Sequence, residues 1–303
     1  MNGHVKCITD LTAIQTLWKQ FATQGTLWDC WDFRYLGHTH SQKQPRAYVA
    51  YTDMQQPIAM IPIAWNQHKQ MWEYFGEAMM ENNRLFCIPG HEDALNALLE
   101  QLPAPLLLEF LHVSNSKKIN GLTHVEEDKF ITNLSTYHSI DAYLIDRFTA
   151  ESRGKLKRKI RDIEHLPLHI TEGEDLHINQ LIQWNIDKFQ TRDGSSFLLP
   201  GRIALIKKII EPYSPIQHRT YSYYINEQLS AVTLHLIHQS YWYFYSAGFL
   251  PECHKHLSAF FNFHSLSMAV KHGMTHFDAG TGSFGWKERF HMDPVAQYTY
   301  IKQ

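Results

Sequence analysis

At 303 residues the chain exceeds the ~100–200 residues of one ordinary domain, which predicts two domains, and its 44% hydrophobic and 19% charged residues are globular proportions with enough apolar mass for a real core. A net charge of −2 with histidine neutral argues against bulk electrostatic binding of DNA or an anionic membrane, and leaves only a local basic patch as a phosphate contact. The longest apolar stretch, residues 104–110, is broken by Pro105 and Glu109 and falls far below the ~18 residues of a membrane span.

The start, MNGHVKCITDLTAIQTLW, lacks the basic and apolar regions of a signal peptide. Cys7, Cys30, Cys87 and Cys253 are widely scattered, as free thiols in a reducing compartment would be. A cytoplasmic protein is therefore expected. Histidine is abundant at 20 residues, but there is no H-E-x-x-H or Cys/His cluster. The pairs His38/His40 and His254/His256 lack carboxylate or thiolate companions, so no metal site is expected.

In chain order, residues 8–22 predict a helix with Leu11, Ile14, Leu17, Trp18 and Phe21 on one face. Strands follow at 47–52, 58–64 and 71–75, the first two joined by a turn at 53–57. A helix at 92–101, a buried strand at 106–113 and a strand near 130–134 complete a mixed α/β half. A short helix is predicted at 139–148 and a basic one at 150–164, where Leu156, Ile160 and Ile163 form an apolar stripe amid Arg153, Lys155, Lys157, Arg158, Lys159 and Arg161. Such a helix is either a solvated face or a phosphate-binding surface. The second half continues with a strand at 166–170, a helix carrying Ile178, Ile182, Ile186 and Phe189, and a helix at 201–210 stopped by Pro212. Strands at 219–225, 229–238 and 241–249 are separated by short turns and predict an antiparallel meander. A helix at 251–271, a strand at 275–279 and a last strand at 295–301 follow.

Between the last two strands lies the segment THFDAGTGSFGWKERFH, residues 275–291, in which Gly280, Gly282 and Gly285 spell G-x-G-x-x-G. Glycines of this spacing suggest a phosphate cradle. The residues after Gly285, WKERFHMDPVAQYTYIKQ, hold none of a kinase's later motifs, nor the helix, strand and acidic residue that a dinucleotide loop needs. The glycines serve another purpose, with a tight turn at the strand end as the expectation.

The order of elements in the second half resembles an N-acetyltransferase (GNAT) domain. The stretch SIDAYLIDRFTAESRGKLKRKIRDIEH resembles the junction in FemAB-like proteins of the CelD-type acetyltransferase group. THFDAGTGSFGWKERF is similar to that group's "fdfg.G...yK.rf", and PIAMIPIAW resembles its first-domain strand. The resemblance implies an α/β (α+β) chain of two tandem GNAT-like domains, each a mixed, mostly antiparallel sheet flanked by helices. They are expected at 1–137 and 138–303, the second catalytic and entered through the basic helix. It implies transfer of an acyl group, acetyl from acetyl-CoA or another acyl-CoA, to an amine or hydroxyl of a small-molecule, peptide or saccharide acceptor. Aminoacyl transfer from charged tRNA, as FemAB relatives perform it, is the variant, in which the basic helix would meet phosphate. A binding module that keeps the fold without catalysis is the alternative.

The resemblance also places a site. In a GNAT domain the fourth and fifth strands splay apart to expose backbone groups to the donor, and these are expected at 229–238 and 241–249. Their N–H groups would stabilise an oxyanion. The donor pyrophosphate would lie at the next helix start, LPECHKHLS, residues 250–258. There the chain departs from the family, with Glu252 and no glycine between Gly248 and Gly273; His254, Lys255 and His256 stand in as cationic or donor groups, with His235 and Ser246 as further donor contacts. Asp278, set among Phe277, Phe284 and Trp286, is the first candidate base, and a turn-ordering aspartate is the other reading. Lys287 matches the family's lysine and either holds an anionic substrate or pairs with Asp278. His235 and His264 are further base candidates, with core packing as the alternative. Tyr245 would protonate the leaving thiolate, and Arg153, Lys157, Trp286 and Arg289 would contact the acceptor. No G-x-S-x-G is present and Cys253 has no paired motif, so direct attack is the expected mechanism.

Overall fold

The computed structural model describes the chain apart from residues 1–3, 24, 40–42, 77–79, 114–117, 126, 190–195, 199–200 and 284, so His40 and Phe284 lie outside the described residues. Contacts divide it into two units, Met1–Glu127 with Ala296–Gln303, and Asp128–Val295.

The first unit contains β1 (His4–Ile8), α1 (Leu11–Phe21), α2 (Trp31–His38), β2 (Gln44–Tyr51), β3 (Pro57–Asn66), β4 (Met71–Tyr74), β5 (Asn83–Arg84), β6 (Phe86–Cys87), α3 (Glu92–Gln101), β7 (Leu106–His112) and β8 (Leu122–His124). Helix α1 starts where Asp10 Oδ1 accepts the Ala13 N–H at 2.8 Å, and it buries Ile14 and Trp18 as the periodicity predicts. Strand β3 is buried on both faces, which its nearly unbroken apolar run requires.

The second unit contains β9 (Lys129–Asn133), α4 (Ile140–Arg147), α5 (Ala150–Glu164), β10 (Leu168–Glu172), α6 (Ile178–Phe189), α7 (Arg202–Ile209), β11 (Gln217–Ile225), β12 (Gln228–His238), β13 (Tyr241–Phe249), α8 (Leu257–Lys271), β14 (His276–Thr281), α9 (Trp286–Arg289) and β15 (Pro294–Val295). Ser139 caps α4 and Thr149 caps α5 through side-chain oxygens on Ala142 N and Ser152 N. Helix α5 buries Leu156, Ile160 and Ile163, the stripe read from sequence. The sheet runs β10-β11-β12-β13-β14-β9-β15, antiparallel throughout except for the parallel pair β13 and β14. Tyr221, Tyr223 and Trp242 of this sheet share a core with Phe260, Phe261 and Leu266 of α8.

The last strand, β16 (Tyr298–Lys302), returns to the first unit, whose sheet runs β1-β2-β3-β4-β7-β16-β8. The expected 137/138 boundary is therefore corrected at both ends. Strand β9, assigned from sequence to the first domain, pairs with β14 and β15, whereas β16, assigned to the second, pairs with β7 and β8. Pairing partners are set by register and backbone hydrogen bonds, which a hydrophobic pattern along one strand does not encode.

Candidate active site

The strands that part are β13 and β14, and not the pair at 229–238 and 241–249. Strands β12 and β13 are joined by a two-residue turn with Gln239 at φ 53°, and they pair from His238↔Tyr241 to Ala231↔Phe249. A hairpin so tightly closed has no freedom to open. Strands β13 and β14 are linked through α8 and pair only at Tyr241↔His276, Trp242↔Phe277 and Tyr243↔Asp278. Beyond that point β14 follows β9, and no described strand hydrogen-bonds that edge of β13 after Tyr243. The register on the other edge slips at the same place. Leu234 opposes Ser246 and His235 opposes Phe244, so Tyr245 is the extra residue of a β-bulge.

Two groups of side chains flank this divergence. The Phe244 ring lies 5.4 Å from Trp286, 6.3 Å from Phe261 and 6.4 Å from Phe277. The Tyr245 ring carries the Arg202 guanidinium at 4.5 Å. Further along β13, a Cβ on Gly248 would stand 2.4 Å from the Leu181 carbonyl oxygen, so only glycine lets α6 cross the strand this closely. Asn185 Nδ2 donates to the Ala247 carbonyl at 3.5 Å.

The glycine loop is the tight turn expected after β14. Gly280, Gly282 and Gly285 have φ of 74°, 89° and 69°, left-handed values that explain why all three are glycine. Asp278 Oδ1 accepts the Gly280 N–H at 2.9 Å, and Oδ2 pairs with Lys129 Nζ at 2.9 Å, the two side chains being 1% and 0% exposed. Lys287 is buried and its ammonium donates to the carbonyls of Gly280 and Thr281 at 2.7 and 2.9 Å. The turn-ordering reading of Asp278 therefore describes its geometry, and both of its oxygens are engaged within the protein. Trp286 is half-buried beside Phe244, and Arg289 is exposed.

Other expected contacts need correction. Helix α8 begins at Leu257, six residues later than expected, because the segment before it closes in turns through Cys253 N–H to Leu250 O and Leu257 N–H to His254 O. His254, Lys255 and His256 directly precede the helix. His256 Nε2 is 3.5 Å from Asp162, and burial with the neighbouring Lys255 charge lowers its pKa below the usual histidine value. Of its two expected roles, this shift favours the donor over the cation. Arg153 is half-buried with Nη1 toward Leu144 O, and Lys157 pairs with Asp141 at 2.7 Å in solvent, an exposed ion pair worth under ~1 kcal/mol. Neither reaches the divergence through these contacts.

His235 is fully enclosed in the core and cannot touch a donor in this conformation. Trp242 Nε1–H donates to its Nδ1 at 2.9 Å, which puts the proton on Nε2, 3.0 Å from Thr233 Oγ1. His264 Nδ1 meets the Tyr223 hydroxyl at 2.9 Å. Burial pushes these histidines down to about 3 and about 4 respectively, with their mutual repulsion adding to the effect on His235. The unfolded chain takes up protons near pH 6.5 that the folded one refuses, so stability is full above that pH and falls as the pH drops toward the folded values. Each histidine contributes a slope of ~1.4 kcal/mol per pH unit over that window. His235→Gln is expected to flatten the loss measured by urea unfolding between pH 6.5 and 4.5; an unchanged slope would assign the acid sensitivity to other groups.

Sequence reading did not find Lys129, Arg202 or Phe244. Lys129 and Arg202 act across long separations, and Phe244 sat unmarked within an aromatic strand. Among the described residues no three His, Cys, Asp or Glu side chains converge as a metal site needs, and no helix is long and apolar enough to cross a membrane.

The acetyltransferase (GNAT) domain family matches residues 150–288, which contain β13, β14 and the glycine loop. No curated protein gives a significant match. Among solved structures, the chain is similar to FemX, with a TM-score of 0.63 and 9% identity over 98% of this chain and 97% of that one. It is also similar to L-PGS from Bacillus licheniformis, at 0.58 and 11% over 97% and 92%. A tandem GNAT protein from the clavulanic acid biosynthesis pathway gives 0.53 and 9% over 98% of each chain. At these identities the likeness is one of fold.

Proposed function

We propose that this chain, whose residues 150–288 form an acetyltransferase (GNAT) domain within a FemAB-like fold, moves an acyl group from a thioester donor, acetyl-CoA in the first instance, to an amine or hydroxyl acceptor. The observation that carries this reading is the parting of β13 from β14 at the Tyr245 bulge, inside the family-matched residues. Backbone N–H groups on the open edge of β13 supply donors for a thioester carbonyl and for the oxyanion that forms when the acceptor attacks it. The C–S bond then breaks, the new C–N or C–O bond remains, and the thiolate takes a proton from the Tyr245 hydroxyl. Asp278 is enclosed and held by Lys129 and the Gly280 N–H, so the acceptor's proton leaves to water, and water in turn reprotonates the Tyr245 phenolate. The start of α8, with His254, Lys255 and His256 before it, faces the donor's pyrophosphate in this scheme.

Aminoacyl transfer from charged tRNA is the second reading. It is favoured by the FemX fold likeness and by Lys155, Arg158 and Arg161, which stand exposed on α5. A thermal-unfolding titration separates the two. Acetyl-CoA at a hundredfold excess over its dissociation constant is expected to add ~2.7 kcal/mol of stability. No shift with acetyl-CoA or longer acyl-CoAs, but one with charged tRNA, would transfer the assignment to the second reading. No shift with either contradicts catalysis by this fold.

A further inference from the structure

We infer that Arg202 and Tyr245 form an oxyanion-binding subsite for the acceptor, one that takes a carboxylate or a phosphate group. The inference rests on the acyl-transfer reading for its location and on Arg202 itself for its chemistry. Arg202 opens α7 and is 8% exposed. Its Nε and Nη1 atoms are buried and meet no hydrogen-bond acceptor among the described residues. What holds the guanidinium is the face of Tyr245, 4.5 Å away.

A buried cation without a carboxylate or carbonyl partner is costly, because its lost hydration is not replaced. Stacking on an aromatic face returns only part of that cost. Such an arrangement persists where the missing partner is a ligand, and a planar guanidinium fork matches a carboxylate or phosphate with paired N–H groups. Its position favours the acceptor. Tyr245 is the bulged residue at the place where β13 and β14 part, so an anion held on Arg202 is anchored beside the point of acyl transfer. An acceptor of this class carries its nucleophilic amine or hydroxyl together with an acidic group, as an amino acid or a phosphate ester does.

The test uses the full chain and compares wild type with Arg202→Met and Arg202→Lys in a chloride buffer. Inorganic phosphate and N-acetylglycine, a carboxylate without a free amine, are titrated separately while the melting temperature is followed. One probe is expected to raise it saturably in wild type, with at least tenfold weaker binding in Arg202→Lys and none attributable to the site in Arg202→Met. The probe that succeeds tells phosphate from carboxylate. Without ligand, Arg202→Met is expected to melt at or above the wild-type temperature, because a similar apolar volume replaces an uncompensated charge. Equal responses to the probes in wild type and Arg202→Met, no response in either, or a markedly lower melting temperature for unliganded Arg202→Met would overturn the subsite. Acetyl-CoA titrated into the same three proteins isolates the failures: a wild-type response to acetyl-CoA without an Arg202-dependent anion response sinks the subsite alone.

Discussion

Asp278→Asn is expected to destabilise the second unit by ~3–5 kcal/mol, well beyond an ordinary surface substitution. The carboxylate is 1% exposed and holds two groups at once: the Lys129 ammonium at 2.9 Å, itself 0% exposed, and the Gly280 N–H at 2.9 Å. An amide keeps the shape and can still accept from Gly280, but it leaves Lys129 as a buried cation beside a neutral group. Removing one partner of a buried pair costs more than the pair itself contributes, so Asp278→Leu with Lys129→Met is expected to recover most of the loss. Urea unfolding of the two variants measures both effects. Wild-type stability in Asp278→Asn, together with a large fall in turnover, would return Asp278 to the role of general base.

Gly248→Ala is expected to cost ~1–3 kcal/mol, the usual penalty for forcing a methyl group into packed space. The added carbon would lie 2.4 Å from the Leu181 carbonyl oxygen and 2.7 Å from its Cα, both backbone atoms of α6, so the helix must move off β13. That displacement occurs two residues beyond the bulge pairing at Ser246. The variant is therefore expected to lose acetyl-CoA stabilisation as well as intrinsic stability. A variant that keeps both would mean that α6 gives way without disturbing the strand edge.

Much of the secondary structure was legible because its signals are local. The α5 stripe of Leu156, Ile160 and Ile163 and the short turns of the β11-β12-β13 meander each sit within one helix or hairpin. Strand β1 and helix α2 went unpredicted, since HVKCI shows no clean alternation and WDFRYLGH no sustained helical period. The glycine loop was half legible. Its turn was expected, whereas the left-handed φ at all three glycines and the Lys287 ammonium folding back onto Gly280 and Thr281 needed coordinates. The expected opening was misplaced by one strand. The meander looked like the place for an opening, but strands joined by two residues must pair, and the freedom to part lies where α8 intervenes between β13 and β14. Tyr245 and Ser246 lie at the bulge and Trp286 packs on Phe244 beside it, whereas alternation places His235 on the face that α8 covers.

Hydrogen–deuterium exchange across residues 244–248 with and without acetyl-CoA tests the central claim most directly. These amides belong to the part of β13 that β14 has left, and those not bonded to β12 lie on its open edge. Saturating acetyl-CoA is expected to slow their exchange at least tenfold, with a smaller effect at the start of α8 and none on the β11-β12 hairpin. Binding of acetyl-CoA that protects another part of the chain, and leaves residues 244–248 exchanging at their free rate, would contradict donor binding between β13 and β14.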